Sequence, residues 1–63
     1  MKIKINENNI ITGYFKLISE KPYKAMGCNM QRNDNGIEID NSLLDQIIVG
    51  ESIFIDGKIY NKN

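Results

Sequence analysis

Cys28 is the only cysteine in the chain and histidine is absent. A sequence of 63 residues must therefore hold a fold together without an internal disulfide and without the four ligands of a tetrahedral zinc site. At this length folding removes only about 60% of the unfolded chain's surface from water, so the core is small. Two routes to extra stability remain, self-association and docking onto a larger partner. The size predicts one small domain over 1–63, and no apolar run approaches the roughly 20 residues that a bilayer-spanning helix needs.

Strand and turn signals dominate the ends of the chain. Lys2-Ile3-Lys4-Ile5-Asn6 alternates polar and apolar, the period of a strand with one dry face. Glu7-Asn8-Asn9 reads as a tight turn, because asparagine tolerates positive φ better than any other residue except glycine. The run Ile10 to Ile18 is rich in β-branched and aromatic residues and predicts the returning strand, with Gly13 marking a bulge or the close approach of another backbone. At the other end, Glu51 to Ile55 meets Lys58 to Asn61 across Asp56-Gly57, a strong two-residue hairpin signal. That turn opposes Phe54 to Ile59 and Ile53 to Tyr60, with Phe54 and Ile59 on one face and Ile53, Ile55 and Tyr60 on the other. Apolar residues on both faces mean that the hairpin is covered twice or that one face awaits a partner.

The middle divides into a loop, a strand and a helix. Pro22, Gly27 and Gly36 with interspersed asparagine and aspartate break every period from Ser19 to Gly36, which predicts an exposed irregular loop, with a short irregular strand somewhere between Tyr23 and Met30. Asn33-Asp34-Asn35-Gly36 then turns the chain into Ile37-Glu38-Ile39, an alternating strand. Leu43, Leu44, Ile47 and Ile48 form two pairs four residues apart, the apolar stripe of a two-turn helix over Leu43 to Val49. Ser42 is its expected cap, Asp45 complements the helix dipole and Gly50 supplies the left-handed stop. A helix so short exists only when it lies on a sheet. The fold class predicted is α+β: a small antiparallel β-sheet of two hairpins plus a central strand, four to five strands in all, with one short helix packed on it.

Chemistry finds little to work with. Cys28, a nucleophile with no histidine base anywhere in the chain, reads as a structural thiol. Asp40 and Asp45 bracket the helix start, where capping accounts for both better than acid–base work does. The Asn33–Gly36 turn lacks the first-position aspartate and the distal glutamate of a calcium loop, and the five glycines are scattered singly, so no phosphate cradle is expected. The expectation is a protein that is not an enzyme, with no catalytic residue, no cofactor, no metal and no small-molecule substrate.

Charge is balanced in total and uneven in distribution. Eight basic residues meet eight acidic ones, which removes any general pull toward nucleic acid or an anionic membrane. Residues 1–24 nevertheless carry five lysines against Glu7 and Glu20, residues 25–57 carry Arg32 against six acids, and Lys58 and Lys62 follow. The simplest explanation is that basic strands pair with the acidic middle; a basic binding face is the alternative. Aromatic residues interleaved with lysine on a sheet are able to stack on bases, but zero net charge favours packing or protein contact for Tyr14, Phe15, Tyr23, Phe54 and Tyr60. The expected interface residues are Tyr14, Phe15, Ile53 and Tyr60. Because Lys2 and Lys4 lead into alternation rather than an apolar run, no secretory leader is expected, and the predicted location is the cytoplasm of a host cell or a particle assembled there.

The order of these signals carries a resemblance. The opening Lys-Ile-Lys-Ile strand turned by Glu7-Asn8-Asn9, the Ile37-Glu38-Ile39-Asp40 strand, the Leu43-Leu44 helix and the closing Phe54-Ile55-Asp56-Gly57-Lys58-Ile59 hairpin together resemble small phage and prophage proteins of low-GC Gram-positive bacteria, domains of unknown function. A composition of 12 isoleucines, 9 asparagines and 7 lysines suits the AT-rich codons of such a source. The resemblance implies a non-enzymatic structural or adaptor module of a phage tail or baseplate. Such a module acts by protein–protein contact with itself or with tail proteins, is incorporated into a virion, and brings no catalytic residues with it. The alternative is a small regulator or inhibitor that binds a host protein or nucleic acid through the 19–36 loop and the nearby lysines.

Overall fold

The computed structural model describes residues 1–61, so Lys62, counted above among the basic residues, lies outside the described residues. Six strands form: β1 (Lys2–Ile5), β2 (Ile11–Glu20), β3 (Tyr23–Cys28), β4 (Ile37–Glu38), β5 (Ile53–Ile55) and β6 (Lys58–Tyr60). All pairings are antiparallel, as the turn signals require. The expected single sheet is instead two, a four-stranded sheet in the order β3-β2-β1-β4 and a separate β5-β6 ribbon. The Ile37 strand, expected at the centre, is a two-residue edge, and the central strands are β1 and β2.

The first hairpin turns where the asparagines stand. Asn9 adopts φ +63°, and the Asn6 side-chain oxygen accepts from the Asn8 and Ile10 N–H groups, a local turn that fixes where β1 ends. Beyond it, Lys4 pairs with Gly13 but Ile5 pairs with Ile11, leaving Thr12 as the extra residue of a bulge. The bulge decides the core. It shifts Ile11 onto the same side of the sheet as Ile3 and Tyr14, which pair with one another, and both Ile3 and Ile11 are wholly buried. Gly13 also allows the close approach expected of it, since a Cβ there would stand 2.8 Å from the Cys28 carbonyl oxygen.

The segment expected as a loop is largely a hairpin. β2 continues to Glu20 and returns as β3, with Tyr14 opposite Cys28 and Glu20 opposite Tyr23, so only the stretch from Asn29 to Gly36 is irregular. The register shifts between Leu17 and Ser19, a second bulge that leaves Ile18 as the extra residue on β2. The order of β3 comes from backbone pairing with β2 and not from its own exposed side chains.

The helix is also different in kind. Asn41–Gln46 is a 3-10 helix with no buried residue, and its cap is Asp40, whose carboxylate accepts from the Ser42 N–H, rather than Ser42 itself. The Leu43–Val49 α-helix does not form because its backbone groups are taken elsewhere. The Ile48 N–H, which an α-helix would give to Leu44, goes to the Ser52 hydroxyl. The Gly50 N–H, which would go to Gln46, goes to the Ile11 carbonyl. The Gln46 carbonyl accepts instead from Ser52 and Asn61 side chains, while the Ile47 N–H closes a tight turn onto Leu44. Ile47 is extended at ψ +122°, so the two apolar pairs never align, and Ile48 faces solvent. Gly50 keeps the left-handed conformation expected of it, φ +89°.

The C-terminal hairpin follows its turn. Asp56 and Gly57 take φ +52° and +78°, the pair of positive values that a twisted two-residue hairpin demands, and Phe54 pairs with Ile59 and Ile53 with Tyr60 as expected. The ribbon reaches the larger sheet through an isolated bridge between Ile10 and Ile53. Around it, Ile11 N–H donates to the Ser52 carbonyl and Phe54 N–H to the Asn9 carbonyl. Segment 50–54 thus occupies the start of β2 on the edge that β3 takes further along.

Candidate interaction surfaces

The four expected interface residues fall in different settings. Tyr14 and Phe15 are neighbours on β2 and therefore point to opposite faces; both are half-buried. Ile53 and Tyr60 face each other across the ribbon on one side, Ile53 half-buried and Tyr60 exposed. The structure thus brings Ile53 and Tyr60 together and separates Phe15 from Tyr14.

On the Phe15 side the sheet holds a cleft of about 320 Å³ lined by Lys2, Phe15, Leu17, Arg32 and Glu38, among others. Lys2 pairs with both Phe15 and Glu38 across the sheet, its ammonium 6.0 Å from the Phe15 ring centre. That ammonium donates to the Asp34 carbonyl at 2.8 Å and to the Arg32 carbonyl, tying the irregular segment to β1. Arg32 in turn reaches Glu20 at 3.3 Å and lies 5.2 Å over the Tyr23 ring. Lys2 thus fastens the irregular segment to β1, and Arg32 links that segment to Glu20 and Tyr23 at the turn of the β2–β3 hairpin.

Ser52 is the residue that the sequence did not single out. It is fully buried. Its hydroxyl accepts from Ile48 N–H at 2.8 Å and lies within hydrogen-bond reach of the Gln46 carbonyl and the Asn61 side-chain oxygen. The Asn61 amide donates to the same Gln46 carbonyl at 2.7 Å. This polar knot closes the segment 46–61 upon itself, and a serine preceding an Ile-Phe-Ile strand gives no pattern from which to foresee it.

Groups with chemical potential are sparse. Cys28 is a free, half-exposed thiol on β3. Among the described residues no three metal-ligating side chains gather, and no helix is long and apolar enough to cross a membrane. Asp40 is a stronger acid than a free aspartate. The Ser42 N–H, then the Ser42 hydroxyl and the nearby N-terminal amine, hold its pKa below the ordinary 3.8.

Charges are mostly not neutralised by contact. Among the described residues ion pairs join only the N-terminal amine to Glu38 and Arg32 to Glu20. The pairing of basic strands with the acidic middle, the simplest explanation of the charge distribution, accounts for none of Lys16, Lys21, Lys24, Asp45, Glu51 or Asp56. Compared with protein-family models, with curated proteins and with solved structures, the chain matches none.

Proposed function

We propose that the protein is a non-enzymatic structural or adaptor module that acts by protein–protein contact. One observation carries the reading. Among the described residues seven large apolar side chains, Ile18, Tyr23, Met26, Ile37, Ile48, Ile55 and Tyr60, are exposed by 38% to 55%, whereas only Ile3, Ile11 and Met30 form the buried apolar core. A chain that leaves more large apolar side chains in water than it buries gains free energy by covering them.

The setting that fits is a phage tail or baseplate, with the protein made in the host cytoplasm and carried into a virion. What supports that setting is the resemblance of the strand and turn signals. The partner is then a second copy of the chain or a tail protein encoded beside it. Sedimentation of the purified protein at micromolar concentration, alone and mixed with the products of neighbouring genes, tests the proposal. Mass above the monomer in either arm is the expected result, and a clean monomer in both overturns it.

A further inference from the structure

Of the seven exposed large apolar residues among the described residues, six lie in the β2–β3 hairpin or in segment 48–60 of an elongated molecule, 37 Å by 20 Å by 18 Å, and the seventh, Ile37, lies on the β4 edge. Ile18 and Tyr23 lie near the tip of the β2–β3 hairpin, and Met26, opposite Lys16, lies further back along β3. Ile48, Ile55 and Tyr60 lie in the segment anchored to Ile11, where β2 begins. β2 is ten residues long, which separates its two ends by about 30 Å at the rise of an antiparallel strand.

The charges at these ends are opposite. At the hairpin tip Lys21 and Lys24 are exposed, and the neighbouring Glu20 is engaged by Arg32. At the other end Asp45, Glu51 and Asp56 are exposed against Lys58 alone among the described residues, and none of the four takes part in an ion pair there. Joining like ends about a twofold axis would set lysine against lysine or carboxylate against carboxylate. Joining unlike ends covers apolar surface on both copies and places opposite charges together.

Resting on the contact reading above, we propose that the partner is a second copy of this chain and that the pairing is head to tail, the basic β2–β3 tip of one copy on the acidic β5–β6 end of the next. Made end on end, a heterologous contact of this kind leaves one unsatisfied tip and one unsatisfied end after every addition, so it continues into a ring or a filament and does not stop at a dimer.

Charge reversal tests this directly. One variant carries Lys21→Glu with Lys24→Glu, the other Asp45→Lys with Glu51→Lys; all four side chains are exposed, and far-UV circular dichroism checks that both variants keep the fold. In about 20 mM sodium chloride the wild type grows beyond twice 7.2 kDa as concentration rises, and about 0.5 M salt weakens association about tenfold or more. Each variant alone is monomeric because its two ends repel. An equimolar mixture of the two regains association, since the acidic tip of one variant meets the basic β5–β6 end of the other, and the unaltered acidic end of the first meets the unaltered basic tip of the second.

A discrete dimer insensitive to salt, or a mixture that stays monomeric, overturns the head-to-tail pairing while leaving the contact reading in place. A monomeric wild type that binds a neighbouring gene product overturns self-pairing alone. A wild type that does neither overturns both.

Discussion

Residues 1–38 and residues 39–61 are held by different physics. The first region buries Ile3, Ile11 and Met30 and extends its sheet over four strands. The second buries only the small, polar Ser52 and is fastened by directional bonds: the Ser52 knot, the Asp40 cap, and the backbone bonds from residues 50–54 to residues 9–11. Apolar burial is non-directional and tolerates approximate partners, whereas hydrogen bonds net little each and cost most when one member is lost. The comparison teaches that the second region depends on the first for its position and on a few polar groups for its shape.

The comparison breaks most severely at Ile11, which serves both regions with its side chain in the core and its backbone bonded to Gly50 and Ser52. Ile11→Ala is expected to cost about 2–5 kcal/mol, a large part of the stability of so small a domain. Urea unfolding followed by circular dichroism should show a midpoint near or below the lowest denaturant concentration. Loss of under about 1 kcal/mol would mean that this isoleucine is not the joint.

Ser52→Ala should act regionally. It strips the Ile48 N–H of its acceptor and the Asn61 side chain of its neighbour, with an expected cost of about 1–3 kcal/mol. Hydrogen exchange should then accelerate at Ile48 and through β5 and β6 while the β1–β2 amides change far less. Uniform acceleration across both sheets would show that the two regions unfold as one.

Gly57→Ala should cost about 1–2 kcal/mol, because an L side chain at φ +78° is crowded by its own backbone. The effect should be confined to the ribbon, read as altered amide shifts from Ile53 to Tyr60 with those of β1 and β2 unmoved.

The smallest effect belongs to Asp40 and appears only in acid. Its pKa is lowered in the folded state, so its contribution is fully present above the ordinary value of 3.8 and is lost as pH falls through the lower native one. A thermal-melting series across that range should show the wild type losing stability that Asp40→Asn does not lose. Parallel acid limbs for the two proteins would show that the capped turn does not report on folding.

The two hairpins at the ends were legible because their information is local. Asp56-Gly57 sets its own register through two positive φ values, and Asn9, at φ +63°, marks where β1 turns back toward β2. The middle was not. The Leu43–Val49 stripe has the right spacing for an α-helix, and what defeats it is the competition of Ser52, Asn61 and Ile11 for the very N–H and C=O groups the helix would use. β3 was legible only as a short irregular strand somewhere between Tyr23 and Met30, because its side chains are largely exposed and its order is supplied by pairing with β2. Of the expected contact residues, Ile53 and Tyr60 were legible as one face because a two-residue turn dictates which residues oppose; how exposed each would be depended on what lay over the ribbon.

Sequence alone determined the turns, the antiparallel sense and the register of the last hairpin, because backbone sterics at asparagine, aspartate and glycine act within a few residues. Tertiary structure decided the division into two sheets, the face on which Ile11 is buried, the 3-10 conformation of residues 41–46 and the exposure of the charged ends. Those outcomes hang on hydrogen bonds and burial between residues up to about forty positions apart, such as Ile11 with Gly50 and Ser52, and free-energy differences of that origin exist only once the chain has closed on itself.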